Sequence, residues 1–256
     1  MVAEPAQKAG RGPDALTDAA TSPWETVWAE RRYVSDYEQA FLKKLRRHAP
    51  AARRVLEAGC GRAEVLKRML RAGRWLAAVG LDLSPKGLEL ASQDRPQNLH
   101  LVQGDLFHLP FLPNTFDLVY NSGVIEHFDD ERLEDALRRM VAVAAPGGTV
   151  LAVVPNAACL WYRVAKAWLM RRGRWRFGFE RYLSARAMRR LGKRVGLEQV
   201  RTRALLLFPP ACDGYRVLYP RWIRRVLDVL EAVLEPITRR LGYALVMIGT
   251  KKEERA

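Results

Sequence analysis

Three carboxylates stand where apolar runs of the chain end. Glu57 closes Arg54–Glu57, Asp82 comes 25 residues later at the end of Leu76–Leu83 (LAAVGLDL), and Asp105 follows His100–Gln103. Between the first two lies the turn Gly59-Cys60-Gly61, followed by residues that can open a helix at Glu64. Glycines accept positive φ and allow close approach of a ligand. A helix start just beyond them offers free N–H groups and a positive dipole end. The stretch therefore reads as a strand–loop–helix nucleotide site. It is not a Walker loop, because no Gly-Lys-Ser/Thr follows, and Glu64 replaces the third glycine of the dinucleotide fingerprint. Taken alone, the turn fits an ordinary βα connection equally well. The other two carboxylates add the specificity. After a second strand, a carboxylate can accept two hydrogen bonds from ribose hydroxyls. After a third, it can accept from the exocyclic amine of a base, with Leu83, Leu106 and Phe107 placed to sandwich a flat ring.

Proton-transfer chemistry has one leading candidate. His127, in Glu126-His127 just past a fourth strand, has an ordinary pKa near 6.5 that suits a general base. The plainer alternative is that it orients its loop. His108 belongs to the adenine side and is a poorer candidate. Glu126, Asp129 and Asp130 read as the exposed acidic start of a helix, with a carboxylate-bound metal there as the lesser reading, so no metal site is assigned. Cys60, Cys159 and Cys212 are far apart without a paired spacing, which points to neither a disulfide framework nor a zinc site.

The elements that must position these groups alternate regularly. The pattern predicts strands over 54–57, 76–83, 100–103, 116–120 and 149–154, and helices over 64–72, 85–94 and 131–143. Ser84 stands as the N-cap of the second helix, and Pro146-Gly147-Gly148 is expected to close the third. Near-continuous apolar strands alternating with amphipathic helices imply a doubly wound, mostly parallel α/β sheet covered on both faces. The beat breaks after Pro155. A helical insertion occupies about 156–182, with its helix at 158–171. A helix over 185–195 and a strand over 198–207 follow, and then a second insertion at about 209–240 carries the amphipathic stretch 221–234. The stretch 243–250 (YALVMIGT) is a last strand. Residues 24–48 read as helical, with an aromatic stripe assigned to packing, and 1–22 as a disordered lead. Residues 23–256 are then a single domain.

Charge is placed unevenly. Residues 1–156 hold 20 Lys+Arg and 20 Asp+Glu, whereas residues 157–256 hold 23 and 8, so the entire net +15 lies in the last hundred residues. Such a surplus suits an anionic membrane surface, nucleic acid or an acidic substrate. No hydrophobic leader and no charge-free run of about 18 apolar residues is present, which leads to the expectation of a cytoplasmic protein.

The motifs taken together resemble the class I S-adenosylmethionine-dependent methyltransferases, in the small-molecule group akin to the quinone-biosynthesis enzymes. The resemblance rests on VLEAGCGRAE at 55–64, VGLDLSP at 79–85, VQGDLFHLPF at 102–111, FDLVYNSGVIEHF at 116–128 and APGGTVLAVVPN at 145–156. It implies a seven-stranded Rossmann-like sheet whose last strand is antiparallel, with S-adenosylmethionine as cofactor. By position it implies that Gly59, Cys60 and Gly61 approach the methionine part, supported by Glu57. Asp82 and Leu83 would then meet the ribose, Asp105 and Leu106 the adenine, and Asn121 and Ser122 the floor near the sulfonium. Ala63 departs from the pattern, replacing a third glycine. The family's base-methylating members carry Asn/Asp-Pro-Pro-Tyr after the fourth strand. Here that place reads Asn121-Ser122-Gly123-Val124, against a DNA adenine methyltransferase. A dehydrogenase is the weaker nucleotide-site alternative.

Acceptor specificity is expected in the insertions. Trp161, Tyr162, Trp175 and Phe179 are the candidate acceptor-binding residues, interleaved with arginines that suit an interface between oil and water. The second insertion, with Arg221, Arg224 and Arg225 beside apolar residues, has the pattern of a helix on an anionic membrane surface, or else of a lid packed on its own sheet. The sequence thus favours methyl transfer to an O or N atom of a small, lipophilic or anionic acceptor. An RNA methyltransferase and a non-catalytic, membrane-associated cofactor binder are the alternatives.

Overall fold

Residues alternate between two cores along the central strands. Val55, Leu118, Tyr120 and Leu151 belong to one buried cluster, and Leu56, Ala58, Val119 and Val150 to the other. Period-two alternation with both faces buried is what a sheet covered by helices on each side requires. The computed structural model describes residues 24, 25, 28, 41, 52–175, 177–208 and 221–253. Expectations for residues 1–22, most of 24–48 and 209–220 lie outside the described residues. The four that are described before residue 52 (Trp24, Glu25, Trp28, Phe41) are all helical.

Seven strands form one sheet in the order β3-β2-β1-β4-β5-β7-β6. They are β1 (Arg54–Ala58), β2 (Ala77–Asp82), β3 (Leu99–Gln103), β4 (Phe116–Ser122), β5 (Ala144–Pro155), β6 (Leu197–Leu205) and β7 (Ala244–Lys251). Strand β7 runs antiparallel to both neighbours, and the pairings among β1 to β5 are parallel. Helices α1 (Glu64–Arg71), α2 (Pro85–Ser92), α3 (Asp130–Val143) and α5 (Ala185–Arg194) fill the expected connections. Helices α4 (Leu160–Arg171), α6 (Arg221–Val233) and α7 (Glu235–Leu241) lie in the two insertions. The chain order reverses between β1 and β4, so the crevice beyond their carboxyl ends is the ligand-binding position of an open α/β sheet.

One boundary differs from the pattern. Strand β5 begins at Ala144 and runs through Pro146-Gly147-Gly148, with Phe116 paired to Ala144 and a register shift before Leu118 pairs with Thr149. A side chain on Gly148 would stand 2.7 Å from Ala145 O, so only glycine fits that bulge. The turn is therefore part of the strand rather than a stop before it. Beyond β5, Asn156 anchors the first insertion. Its buried amide donates to Arg240 O (2.9 Å) and Gly242 O (2.8 Å), and its side-chain oxygen accepts from Ala158 N.

Candidate active site

At the end of β1 the Gly59 and Cys60 N–H groups both donate to Leu81 O, at 2.7 and 3.0 Å, tying the loop to β2. Gly59 and Gly61 hold φ of +83° and +49°. A Cβ at Gly59 would lie 2.3 Å from Val124 Cγ2, and one at Gly61 would lie 2.2 Å from the Trp28 ring. Ala63, the N-cap of α1, also takes a left-handed φ of 54° while wholly buried. A glycine would hold it without the strain, on the order of 1 kcal/mol, that alanine accepts.

Asp82 closes the far side of the turn. Its Oδ2 accepts from Gly61 N at 2.6 Å and its Oδ1 from Ser84 N at 2.8 Å. Burial raises its carboxyl above the usual range, opposed by those backbone donors and assisted by Glu25. The Leu83 backbone is a third donor to the same carboxylate. Ser84 caps α2 through Gly87 N, as expected, and its hydroxyl also donates to Glu25 Oε1 at 2.5 Å. Asp105 accepts from Phe107 N (2.9 Å) and sits 3.3 Å from the exposed His108 ring, while Leu106 is buried behind it. Leu83 is half-buried at the end of β2.

The expected floor residues divide. Asn121 is wholly buried, with its amide donating to Ala58 O (2.6 Å) and its oxygen accepting from Ile125 N (3.4 Å). It holds the end of β1 to the loop after β4, and Ser122 is the half-buried residue beside it. Glu57 is buried one residue before the end of β1. The Cys60 side chain packs over Gly80, and burial, then Asp82 and Glu57, push its thiol well above its ordinary range.

His127 lies on a single 3₁₀ turn (Ile125–His127) at the end of β4 and is 3% exposed. Its Nδ1 is 2.5 Å from Phe179 O, which can only accept, so Nδ1 carries the proton and Nε2 the lone pair. Burial lowers its pKa to about 4, against the Phe179 bond that raises it. The Trp24 ring stands edge-on at 4.9 Å, and Phe177 lies 6.2 Å from Trp24.

Glu126 departs from the sequence reading. It is no part of an exposed acidic helix start but is 4% exposed, and its Oε2 finds no hydrogen-bond partner among the described residues. Burial, and then Glu180, push its carboxyl well above the ordinary range. Asp129 instead caps α3 through Arg132 N, and Asp130 pairs with Arg181 at 2.6 Å. The ligand atoms of Glu126, His127 and Glu180 lie within 4.8 Å of one another. A cation already stands there: Lys166 Nζ is 3.2 Å from Glu180 Oε1, and Tyr162 Oη donates to the same oxygen at 2.5 Å. The Lys166 side chain thus packs among the carboxyl groups of this cluster.

Of the four residues expected to bind the acceptor, two are held in packing. Trp161 donates to Leu207 O at 2.8 Å, and Tyr162 is 1% exposed with its ring 4.5 Å from that of Tyr243. Trp175 lies between Phe177 (5.1 Å) and the Lys166 ammonium (4.8 Å), and half of Phe179 is exposed. The sequence reading missed Trp24, Glu25, Trp28, Lys166 and Glu180. The aromatic stripe over 24–48 was the available signal, weighed toward packing over ligand contact. A lysine on a helix whose neighbours are apolar was the other.

The fold and part of the sequence have known counterparts. A family model described as "Methyltransferase domain" matches residues 28–202, more than half of the chain. Among curated proteins, the malonyl-[acyl-carrier protein] O-methyltransferase of Erwinia pyrifoliae is 37% identical over 100 residues, which is 39% of this chain and 36% of that one. The demethylmenaquinone methyltransferase of Staphylococcus haemolyticus is 32% identical over 107 residues, 41% of this chain and 44% of the relative. The chain thus spans less than half the length of these relatives. A solved S-adenosylmethionine-dependent methyltransferase of Thermotoga maritima shares the fold at TM-score 0.61 and 17% identity, covering 90% of this chain and 93% of that one. The phosphoethanolamine N-methyltransferase 2 of Haemonchus contortus, solved with S-adenosyl-L-methionine, has TM-score 0.61 at 16% identity, over 96% and 61% of the two chains. With its sheet order, glycine turn and strand-end carboxylates, this chain belongs to the methyltransferase-domain family, in the class I fold whose methyl donor is S-adenosylmethionine.

Proposed function

We propose that the protein transfers a methyl group to an O or N atom of a small lipophilic or anionic acceptor, with His127 as the base that takes the acceptor's proton. The observation that carries this reading is the fixed tautomer of His127. Its Nδ1 proton is committed to Phe179 O, so a neutral ring on the turn after β4 keeps its Nε2 lone pair for another partner. Its pKa of about 4 keeps the ring unprotonated at neutral pH, and also makes it a weaker base than the ordinary 6.5 expected from the sequence.

The residues fit the donor. The glycines at 59 and 61 let Val124 and the Trp28 ring pack against the backbone of the turn, and Asp82 stands at the position the family uses for the ribose. Asp105 and Leu106 stand at the third strand end for the adenine. When bound, S-adenosylmethionine supplies a methyl group already activated on a sulfonium. The chain's own task is then to place the acceptor in line, remove its proton and exclude water. Phe177, Phe179 and Trp175, with Trp24 against His127, are the walls we assign to the acceptor.

The test follows conversion of S-adenosylmethionine to its demethylated product against a panel of phenols, fatty carboxylates and amines. With the responding acceptor, His127→Gln is expected to lower kcat by about 10² to 10⁴, the usual worth of a positioned base, with S-adenosylmethionine affinity unchanged. Full turnover in that variant would remove the base.

A further inference from the structure

Helix α4 is turned inside out. Its lysine, Lys166, is 4% exposed and faces inward with Tyr162, whereas Leu160 (70% exposed), Val164 (69%) and Trp168 (47%) face outward. Those three are spaced four apart and so share one face. Around them stand exposed Arg163, Arg171, Arg172 and Arg174, and residues 160–179 contain no acidic residue. The Arg172 guanidinium lies 4.3 Å over the Trp168 ring. A second face continues the pattern. On α6, Trp222, Val226, Val229 and Val233 are all exposed and follow a helical spacing. The two helices converge on adjacent residues: Trp161 of α4 donates to Leu207 O, and Phe208 N donates to Glu231 of α6.

We infer that α4, supported by α6, docks the protein on the surface of an anionic lipid bilayer. An outward apolar row with a tryptophan and a rim of arginines is what the boundary between headgroups and acyl chains takes up. No helix among the described residues is long and apolar enough to cross a membrane, which leaves docking at the surface. A second copy of the chain fits the face poorly, because a two-fold contact would oppose arginine rim to arginine rim. Aliphatic Leu160 and Val164 at the centre likewise offer nothing that a phosphate backbone or a base would bind. The inward side of the same helix reaches the catalytic loop, since Tyr162 and Lys166 hold Glu180, next to the residue whose carbonyl fixes His127. Docking would therefore bring the acceptor walls to the bilayer. The inference stands on the exposed face of α4 and does not depend on which acceptor is methylated.

Flotation of the full chain with vesicles tests it, using phosphatidylcholine alone and phosphatidylcholine with roughly 30% phosphatidylglycerol, where each basic residue near the surface contributes roughly fivefold. Binding is expected to the anionic vesicles and to weaken with salt. Val164→Ser with Trp168→Ser, and separately Arg171→Glu with Arg172→Glu and Arg174→Glu, should each weaken it at least tenfold while S-adenosylmethionine affinity stays at the wild-type value. Absence of binding at low salt would overturn the inference, as would binding unaffected by both variants. So would a wild-type dimer in solution that the Val164/Trp168 variant separates, because the face would then belong to a second copy. Failure of S-adenosylmethionine binding in the wild type would instead count against the methyltransferase site and leave the docking result standing.

Discussion

At the scale of single residues, burial moves His127 away from its ordinary chemistry. Its folded pKa of about 4 lies below the unfolded value of about 6.5, so the unfolded chain binds more protons between those limits. The stability that neutral, buried His127 contributes is complete above about pH 6.5 and is lost as pH falls toward about 4. His127→Gln, which cannot titrate, removes that dependence. Urea unfolding should therefore show the wild type gaining about 2 kcal/mol relative to His127→Gln between pH 5 and pH 7. A pH-independent difference would mean that the ring is neither buried nor depressed. Glu126, Glu180 and Asp82 shift in the opposite direction, upward on burial, but they are present in both proteins and cancel in the comparison.

Sequence legibility at this scale followed chain locality. Asp82, Asp105 and the glycine turn sit at strand ends that the apolar pattern itself marks. Glu126 was misplaced, because its burial comes from Glu180 and the first insertion, 54 residues further on. Asn121 was assigned to the ligand, yet its partners are Ala58 O and Ile125 N. No local pattern distinguishes an amide that holds a crevice from one that lines it.

Among the elements, α4 is tied to the return segment of the first insertion through one buried pair, Lys166 and Glu180. Lys166 Nζ contacts the Glu180 carbonyl (2.6 Å) and carboxylate (3.2 Å), and lies 4.8 Å over both the Trp175 and Tyr182 rings. Lys166→Met leaves Glu180 and Glu126 together without a cation, at a cost of about 3 kcal/mol. Glu180→Gln costs less, about 1–2 kcal/mol, because Lys166 keeps the backbone carbonyl and both ring faces. In Lys166→Met the carboxyl at 180 must hold a proton in the folded state. Its folded pKa then exceeds the unfolded value, and stability falls further as pH rises above about 4.5. Thermal unfolding should show the loss from Lys166→Met deepening from pH 5 to pH 8. Equal losses in the two single variants would contradict this account of the pair. The regular βα units were legible because each repeats one apolar period. The fate of α4 was not, because its moment points apolar residues outward, and only the fold decides which side is out.

For the molecule as a whole, the neutral first half and the strongly basic second half divide the work. The half up to Asn156 builds the donor crevice around β1 and β4. The half beyond it supplies β6, β7 and two helical insertions whose exposed apolar faces carry the surplus of arginine. The N-terminal turns join these halves, with Trp28 against Gly61 and Trp24 against both His127 and Phe177. The proposed methyl transfer depends on a donor held between the glycine turn and Asp82. Isothermal titration with S-adenosylmethionine and with its demethylated product measures that directly. Both should bind the wild type, and Asp82→Ala should weaken them by at least tenfold, the worth of a hydrogen bond to a charged group at about 1.5–3 kcal/mol. Equal binding by wild type and Asp82→Ala, or preference for a nicotinamide dinucleotide over both ligands, would contradict the central claim.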